Sequence, residues 1–348
     1  MKSIEGAGEH PIDFWIDFKG TIAENSTPRC AIVRVRYHNY TCEHDIYVRQ
    51  GYAPITIDGN AESDKNPAWA SYNVYCFDAN NAPVYTKSPL EEGSLFRRGN
   101  RTAILASNND RPGFTFGLGP SGSFDVLELG ATTPSQKTWS QLAPSADDVK
   151  SRFASWSIAG DHERIATIED FYTLESTSIH SNIGKAYGVL YGDGATETQK
   201  SVEVALGYDH NEDPTNSKKG MRGCFVFNIN NSHNIFFPIG KSGYGRRKGM
   251  TSNGEKVGAL RYAQRTDYYN NDGTGNIQYV PLFYDLFERP GAIYQCRNRL
   301  SSTGSDVKKS SAFDINYFTM GFEGFENGAS NNSDGSDSDA CFIRTVKY

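Results

Sequence analysis

Apolar and polar positions alternate in short runs along much of the chain, and a period of two predicts strands. Ile32-Val33-Arg34-Val35-Arg36-Tyr37 alternates cleanly, and Ile46-Tyr47-Val48-Arg49 resumes after a polar turn at His38–Thr41. The pattern predicts a hairpin with Arg34, Arg36 and Arg49 facing solvent and Val33, Val35 and Val48 facing a core. Residues 12–18, Ile-Asp-Phe-Trp-Ile-Asp-Phe, nearly alternate as well. Three strands do not readily close a sandwich, so residues 1–54 are expected to form the tail of one. Residues 55–88, turn-rich at their start, are expected to form a linker to a second region at 89–348.

Within that region Leu95–Asn100 and Ala103–Ala106 predict short strands, and Gly113–Gly130 predicts a glycine-rich loop. Thr167 is placed to cap a helix, with Glu169 and Asp170 in its first turn and an apolar side of Ile168, Phe171, Tyr172 and Leu174. A second helix is predicted from Glu197 to Leu206, stopped by Gly207. Further strands are predicted at Ala186–Tyr191, Cys224–Asn228, Asn234–Pro238, Gly291–Gln295, Asn316–Phe322 and Ala340–Val346. Long polar loops at 244–256, 267–279, 298–310 and 324–339 exceed what hairpins need, and loops of that length commonly carry function. The fold class expected is α+β: two helices, short antiparallel strands and long loops, preceded by part of a β-sandwich.

Composition supports strands and loops. The 348 residues include 34 Gly, 20 Tyr and 20 Phe, and aromatics reach 13%. A net charge of −6 disfavours nucleic acid as a partner, because phosphate binding needs a basic surface. No apolar run approaches the roughly 20 residues that span a bilayer as a helix. The six cysteines, Cys30, Cys42, Cys76, Cys224, Cys296 and Cys341, are irregularly spaced without a C-x-x-C pair, which argues against zinc. A turn near Asn39-Tyr40 sets Cys42 opposite Tyr37 and far from Cys30, so those two are not expected to pair. Cys224 and Cys341 lie inside strand patterns and are expected to be buried, inert thiols. The seven histidines show no metal-ligand spacing, and no nucleophile elbow or phosphate loop is present. An enzyme is not expected, although paired carboxylates of a glycosidase cannot be seen in sequence.

Several passages resemble a family of surface and fimbria-associated proteins of gut Bacteroidales. They are Cys42–Pro54, Pro89–Asn100, Ala166–Phe171, Tyr187–Ala195, Met221–Phe227, Phe236–Gly240, Arg289–Tyr294, Asp314–Thr319 and Ala340–Val346. The resemblance implies a C-type-lectin-like fold, related in outline to formylglycine-generating enzymes, behind an upstream β-sandwich. It also implies a lipoprotein-anchored adhesin or pilus-tip-like subunit at the bacterial cell surface. The start, Met1-Lys2-Ser3-Ile4-Glu5-Gly6, has no apolar leader. On this resemblance the chain is expected to be the downstream part of a longer exported protein. The Arg-Gly-Gly-Ser pattern of formylglycine-generating enzymes is absent, as are the Glu-Pro-Asn and Trp-Asn-Asp signatures of sugar-binding C-type lectins.

Three loops carry candidate chemistry. Tyr268, Tyr269, Asn270, Asn271 and Asp272 combine aromatic faces, on which a sugar can stack, with amides and a carboxylate for its hydroxyls. Such a loop suits protein recognition equally, and an ordinary turn flanked by core-facing tyrosines has the same composition. Arg246 and Arg247 form a basic cluster suited to an anionic glycan or to local salt bridges. Asn331, Asn332, Asp334, Asp337 and Asp339 offer oxygen ligands suited to calcium, though without the distal Glu of an EF-hand; a solvated polar loop reads the same way. The expected function is a non-enzymatic adhesin that binds a glycan or protein through these loops. Its alternatives are a fimbrial assembly subunit contacting pilins through the N-terminal strands and, further off, a carbohydrate-active or formylglycine-generating-type enzyme.

Overall fold

The computed structural model describes residues 16–87, 89–97, 100–105, 113–115, 119–121, 123–138, 140–142, 158–159, 162–175, 182–191, 221–238, 269–271, 277–279, 291–297, 311–316, 320–324 and 340–348. Strands dominate them. The only α-helix among the described residues is α1, Ile168–Tyr172, beside one 3-10 turn at Ser140–Leu142. This corrects the expected α+β class: the chain is β-rich. The cap at Thr167 is as predicted. Its hydroxyl accepts from the Asp170 amide at 3.2 Å, and Asp170 Oδ2 accepts from the Thr167 amide at 2.8 Å. The helix ends after five residues; Phe171 and Leu174 are buried and Tyr172 turns outward, 42% exposed. The predicted second helix, Glu197–Leu206, lies outside the described residues.

A five-stranded sheet runs in the order Ser135–Thr138, Ser123–Leu127, Ala103–Leu105, Ser94–Arg97, Ala340–Cys341. Its side chains alternate between two clusters. Leu95, Ile104, Phe124 and Val126 join Trp69 and Phe237, while Phe96, Ala103, Leu105 and Leu127 join Val74, Phe77 and Ile343. The strands Ser94–Arg97 and Ala103–Leu105 are buried on both faces, and Phe124, Val126 and Leu127 make Ser123–Leu127 a core strand inside a stretch whose glycines predicted a loop. Residues 55–88, expected as a linker, supply Ile55, Ile57, Trp69, Val74 and Phe77 to the same clusters. Their strands, Ala68–Trp69, Val74–Phe77 and Pro83–Tyr85, are two to four residues long. A window of periodicity does not register strands that short.

A second sheet orders Ile183–Leu190, Met221–Asn228 and Asn234–Pro238. Cys224, Val226, Ile235 and Phe237 face the main core, and Phe225 and Phe236 form a smaller cluster on the other face. Gly184 and Gly223 lie under the rings of Phe227 and Phe236, where a Cβ would collide; the aromatic rings cover the space the glycines leave. Cys224 is 5% exposed, and burial pushes its thiol up to about 12, as expected for an inert buried cysteine.

Residues 340–348 run through the middle of the molecule. Cys341 pairs with Phe96 and Val346 with Trp69, and the Ala166 amide donates to the Arg344 carbonyl at 3.0 Å. Arg344 itself is fully buried. Its Nε donates to Asn73 Oδ1 at 2.8 Å, Nη1 to the Ala70 carbonyl at 2.9 Å and Nη2 to the Phe236 carbonyl at 3.0 Å. The guanidinium lies 4.7 Å from the centre of the Phe237 ring. Desolvation pulls its pKa down, and the neighbouring Tyr294 partly offsets this.

Candidate functional site

The site residues expected from sequence all fall between 246 and 339. Arg246, Arg247, Tyr268, Asp272, Asn331, Asn332, Asp334, Asp337 and Asp339 lie outside the described residues. For Tyr269, Asn270 and Asn271 the backbone is described: it pairs antiparallel with Tyr279, Gln278 and Ile277. This two-stranded ribbon frames residues 272–276. Elsewhere, the Asp58 carboxylate accepts from the Asn60 amide, Asn60 Nδ2 and Asn66 Nδ2. Those contacts close a turn. On the 163–165 strand, burial raises the pKa of the Glu163 carboxyl, which accepts from the Tyr85 and Thr345 hydroxyls.

The feature of the described surface best built for binding is the N-terminal hairpin, β1 (Arg29–Tyr37) and β2 (Cys42–Gln50). Tyr37 pairs with Cys42 and Cys30 with Arg49, as the turn position predicted, and both cysteines are free thiols. The turn holds His38, Asn39 and Tyr40 successively at positive φ of 54°, 53° and 65°. Such a run is costly for residues with a Cβ. The Thr41 amide and hydroxyl both donate to the His38 carbonyl, at 3.2 and 2.6 Å. The result displays Tyr40 at the tip, 75% exposed.

Directly opposed residues of an antiparallel pair share a face, so the register sorts the hairpin into two surfaces. One carries Cys30, Ile32, Arg34 and Arg36 with Arg49, Tyr47, Asp45 and Glu43. At the base this face docks on the body. Tyr47 stacks on Phe225 with centroids 4.9 Å apart and lies 4.8 Å from Phe227. Arg49 donates to the carbonyls of Asn234, Ala53 and Gly51 at 2.8, 2.8 and 3.0 Å, and to Ser71 Oγ at 2.7 Å. Desolvation lowers its pKa, with Cys30 the largest opposing influence. Towards the tip the same face is wet, with Arg34 bridging Glu43 and Asp45 at 2.8 Å each and Arg36 bridging Glu43 at 2.9 Å.

The other face carries Ala31, Val33, Val35 and Tyr37 beside Val48, Ile46, His44 and Cys42. It is mostly apolar, yet Val33 is 37% exposed and Tyr37 51%. This corrects the expectation that Arg49 faces solvent while Val33, Val35 and Val48 face the core. The core-facing side is chosen by the two largest anchors, the Tyr47 ring and the Arg49 guanidinium. In sequence Arg49 carried no sign of this, because its acceptors are mostly backbone carbonyls. No further strand pairs with either outer edge among the described residues. Of the preceding chain, the described residues meet the base, where Gln50 donates to the Gly20 carbonyl at 2.9 Å and Arg29 to that of Lys19 at 3.1 Å.

No helix of the described residues is long and apolar enough to cross a membrane. No protein-family model, curated protein or solved structure matches the chain.

Proposed function

We propose that this chain is a non-enzymatic binding subunit of a bacterial surface assembly, and that a protein partner joins it at the N-terminal hairpin. One observation carries the reading. A two-stranded sheet nine residues long in each strand is anchored at its base by Tyr47 and Arg49, and extends with both outer edges unpaired among the described residues. Unpaired N–H and C=O rows template strand addition, and an exposed apolar face beside them adds area for a partner to bury. The fimbrial resemblance of Cys42–Pro54 and Ala340–Val346 supports the same role. The test is photo-crosslinking in the producing cell from residues installed at Val33, Tyr40 and, as a control, Leu129. Discrete higher-mass adducts from positions 33 and 40 but not 129 are expected. Absence of adducts from all three positions sinks the proposal.

A second reading, glycan binding by the 267–279 loop, is favoured by the ribbon Tyr269–Asn271 with Ile277–Tyr279, which brings two tyrosines opposite each other at its base. A glycan array with and without chelator tests it. Binding weakened by Tyr269→Ala is the expected result, chelator sensitivity would bring in calcium at Asp334, Asp337 and Asp339, and a blank array removes the reading.

A further inference from the structure

Resting on the hairpin reading above, we propose that the segment added to the β1 edge is an extended strand of a different protein, with acidic residues at alternate positions and apolar residues between them. Of the two strands, β1 is the more exposed, and β2 is half-buried from Asp45 to Gln50. The incoming strand therefore meets β1. Its neighbours there are Arg34 and Arg36 on one face and Val33 and Val35 on the other.

Opposite charges directly across a strand pair attract and like charges repel. Carboxylates facing Arg34 and Arg36 would complete a three-strand ladder in which each guanidinium lies between two acids. The donors for this exist. Arg36 uses only Nε towards Glu43 among the described contacts, and a guanidinium has five N–H donors. On the reverse face, apolar partner residues would cover Val33 and Val35.

The same charges select against a two-fold pairing of this chain with itself through β1. A two-fold pairing of β1 with β1 in its full-length register places each Arg34 diagonal to its own image. Sliding towards the tip sets Arg34 opposite Arg34 or Arg36. Pairing β2 with β2 opposes acid to acid only when the strands are slid towards the tip; in full register Glu43 faces Arg49. Charge thus separates an acidic partner strand from a two-fold copy joined through β1.

The test uses two labelled synthetic strand peptides of equal length, one alternating Val with Glu or Asp and the other alternating Val with Lys. Binding is read by fluorescence anisotropy and by amide hydrogen exchange over β1. The acidic peptide is expected to bind about tenfold tighter, as two attractive rather than two repulsive pairs imply, and to slow exchange between Ala31 and Tyr37. The variant Arg34→Glu/Arg36→Glu/Glu43→Arg/Asp45→Arg keeps the internal ladder with its signs swapped, so the hairpin retains its ion pairs. It is expected to prefer the lysine peptide. Equal affinity of the two peptides for the native chain overturns the acidic assignment while leaving strand addition standing. Failure of both peptides to protect β1 overturns both. A concentration-dependent dimer abolished by Val33→Lys overturns the choice of a foreign partner.

Discussion

The N-terminal hairpin alternates polar and apolar residues, whereas the strands 221–228 and 234–238 carry continuous apolar runs, Cys224–Phe227 and Ile235–Phe237, and of the two regions only that sheet has both faces covered. There, Cys224 and Val226 meet the main core, and Phe225 is covered by Tyr47 from the hairpin. In the hairpin the valine face is left out, and the arginine face is drawn in at its base. Burying a valine contributes roughly 1.5–3 kcal/mol. Hydrogen bonds to a charged group contribute about 1.5–3 kcal/mol each, and Arg49 makes four. A stacked aromatic pair adds about 0.5–1.5 kcal/mol beyond the area it buries. One well-placed cation and one ring therefore outweigh the alternation of three small side chains. Period two tells which residues share a face but not which face turns inward.

The comparison can be broken most severely from inside the body. Arg344→Met leaves Asn73 Oδ1 and the carbonyls of Ala70 and Phe236 without their donor, at an expected cost of about 3–5 kcal/mol. Urea unfolding should show the midpoint falling for the whole chain, and an unchanged midpoint would remove Arg344 as the hub. Arg49→Met is expected to cost about 2–4 kcal/mol, concentrated locally. Hydrogen exchange should quicken across β1 and β2 while Val226 and Ile104 stay protected; uniform loosening would mean the hairpin is integral to the core. The contrast sharpens with one substitution made twice. Val226→Ala in the covered sheet should cost about 2–3 kcal/mol, and Val33→Ala on the open face less than about 0.5 kcal/mol.

The smallest effect concerns pH. Burial raises the folded-state pKa of Glu163 above that of an unfolded glutamate. Its contribution is therefore fully present at low pH and is lost as pH rises through the folded value. Glu163→Gln keeps an acceptor for the Tyr85 and Thr345 hydroxyls without the charge. Melting temperature of the native chain relative to this variant should fall from pH 4 to 7; a constant difference would contradict the assignment.

Local signals were legible in the sequence wherever local physics decides. The Thr167 cap, the His38–Thr41 turn, the Tyr37–Cys42 pairing and the strands Asn234–Pro238 and Gly291–Gln295 lie where the residues put them. Strands shorter than a window of periodicity were read as linker or loop, as with Ala68–Trp69. Long-range choices were hidden altogether. Arg344 is a single cation in an apolar run, and the acceptors that justify it lie at Asn73, Ala70 and Phe236. Of the candidate loops, only the ribbon at Tyr269–Asn271 is among the described residues. The hairpin edge was legible as a possibility, because three strands that do not close a sandwich leave an edge, but its charged identity needed the register.

The closing segment also sets a timetable. Arg344 and Ala70 are 274 positions apart, so the contacts that join them close a very long loop. Until Val346 docks, Trp69 has no strand partner on that side, and Phe96 waits for Cys341. Loop-closure entropy grows slowly with length, but contacts of such separation still make folding slow. The sheets that hold Trp69 and Phe96 are therefore completed by long-range contacts and not by their sequence neighbours alone.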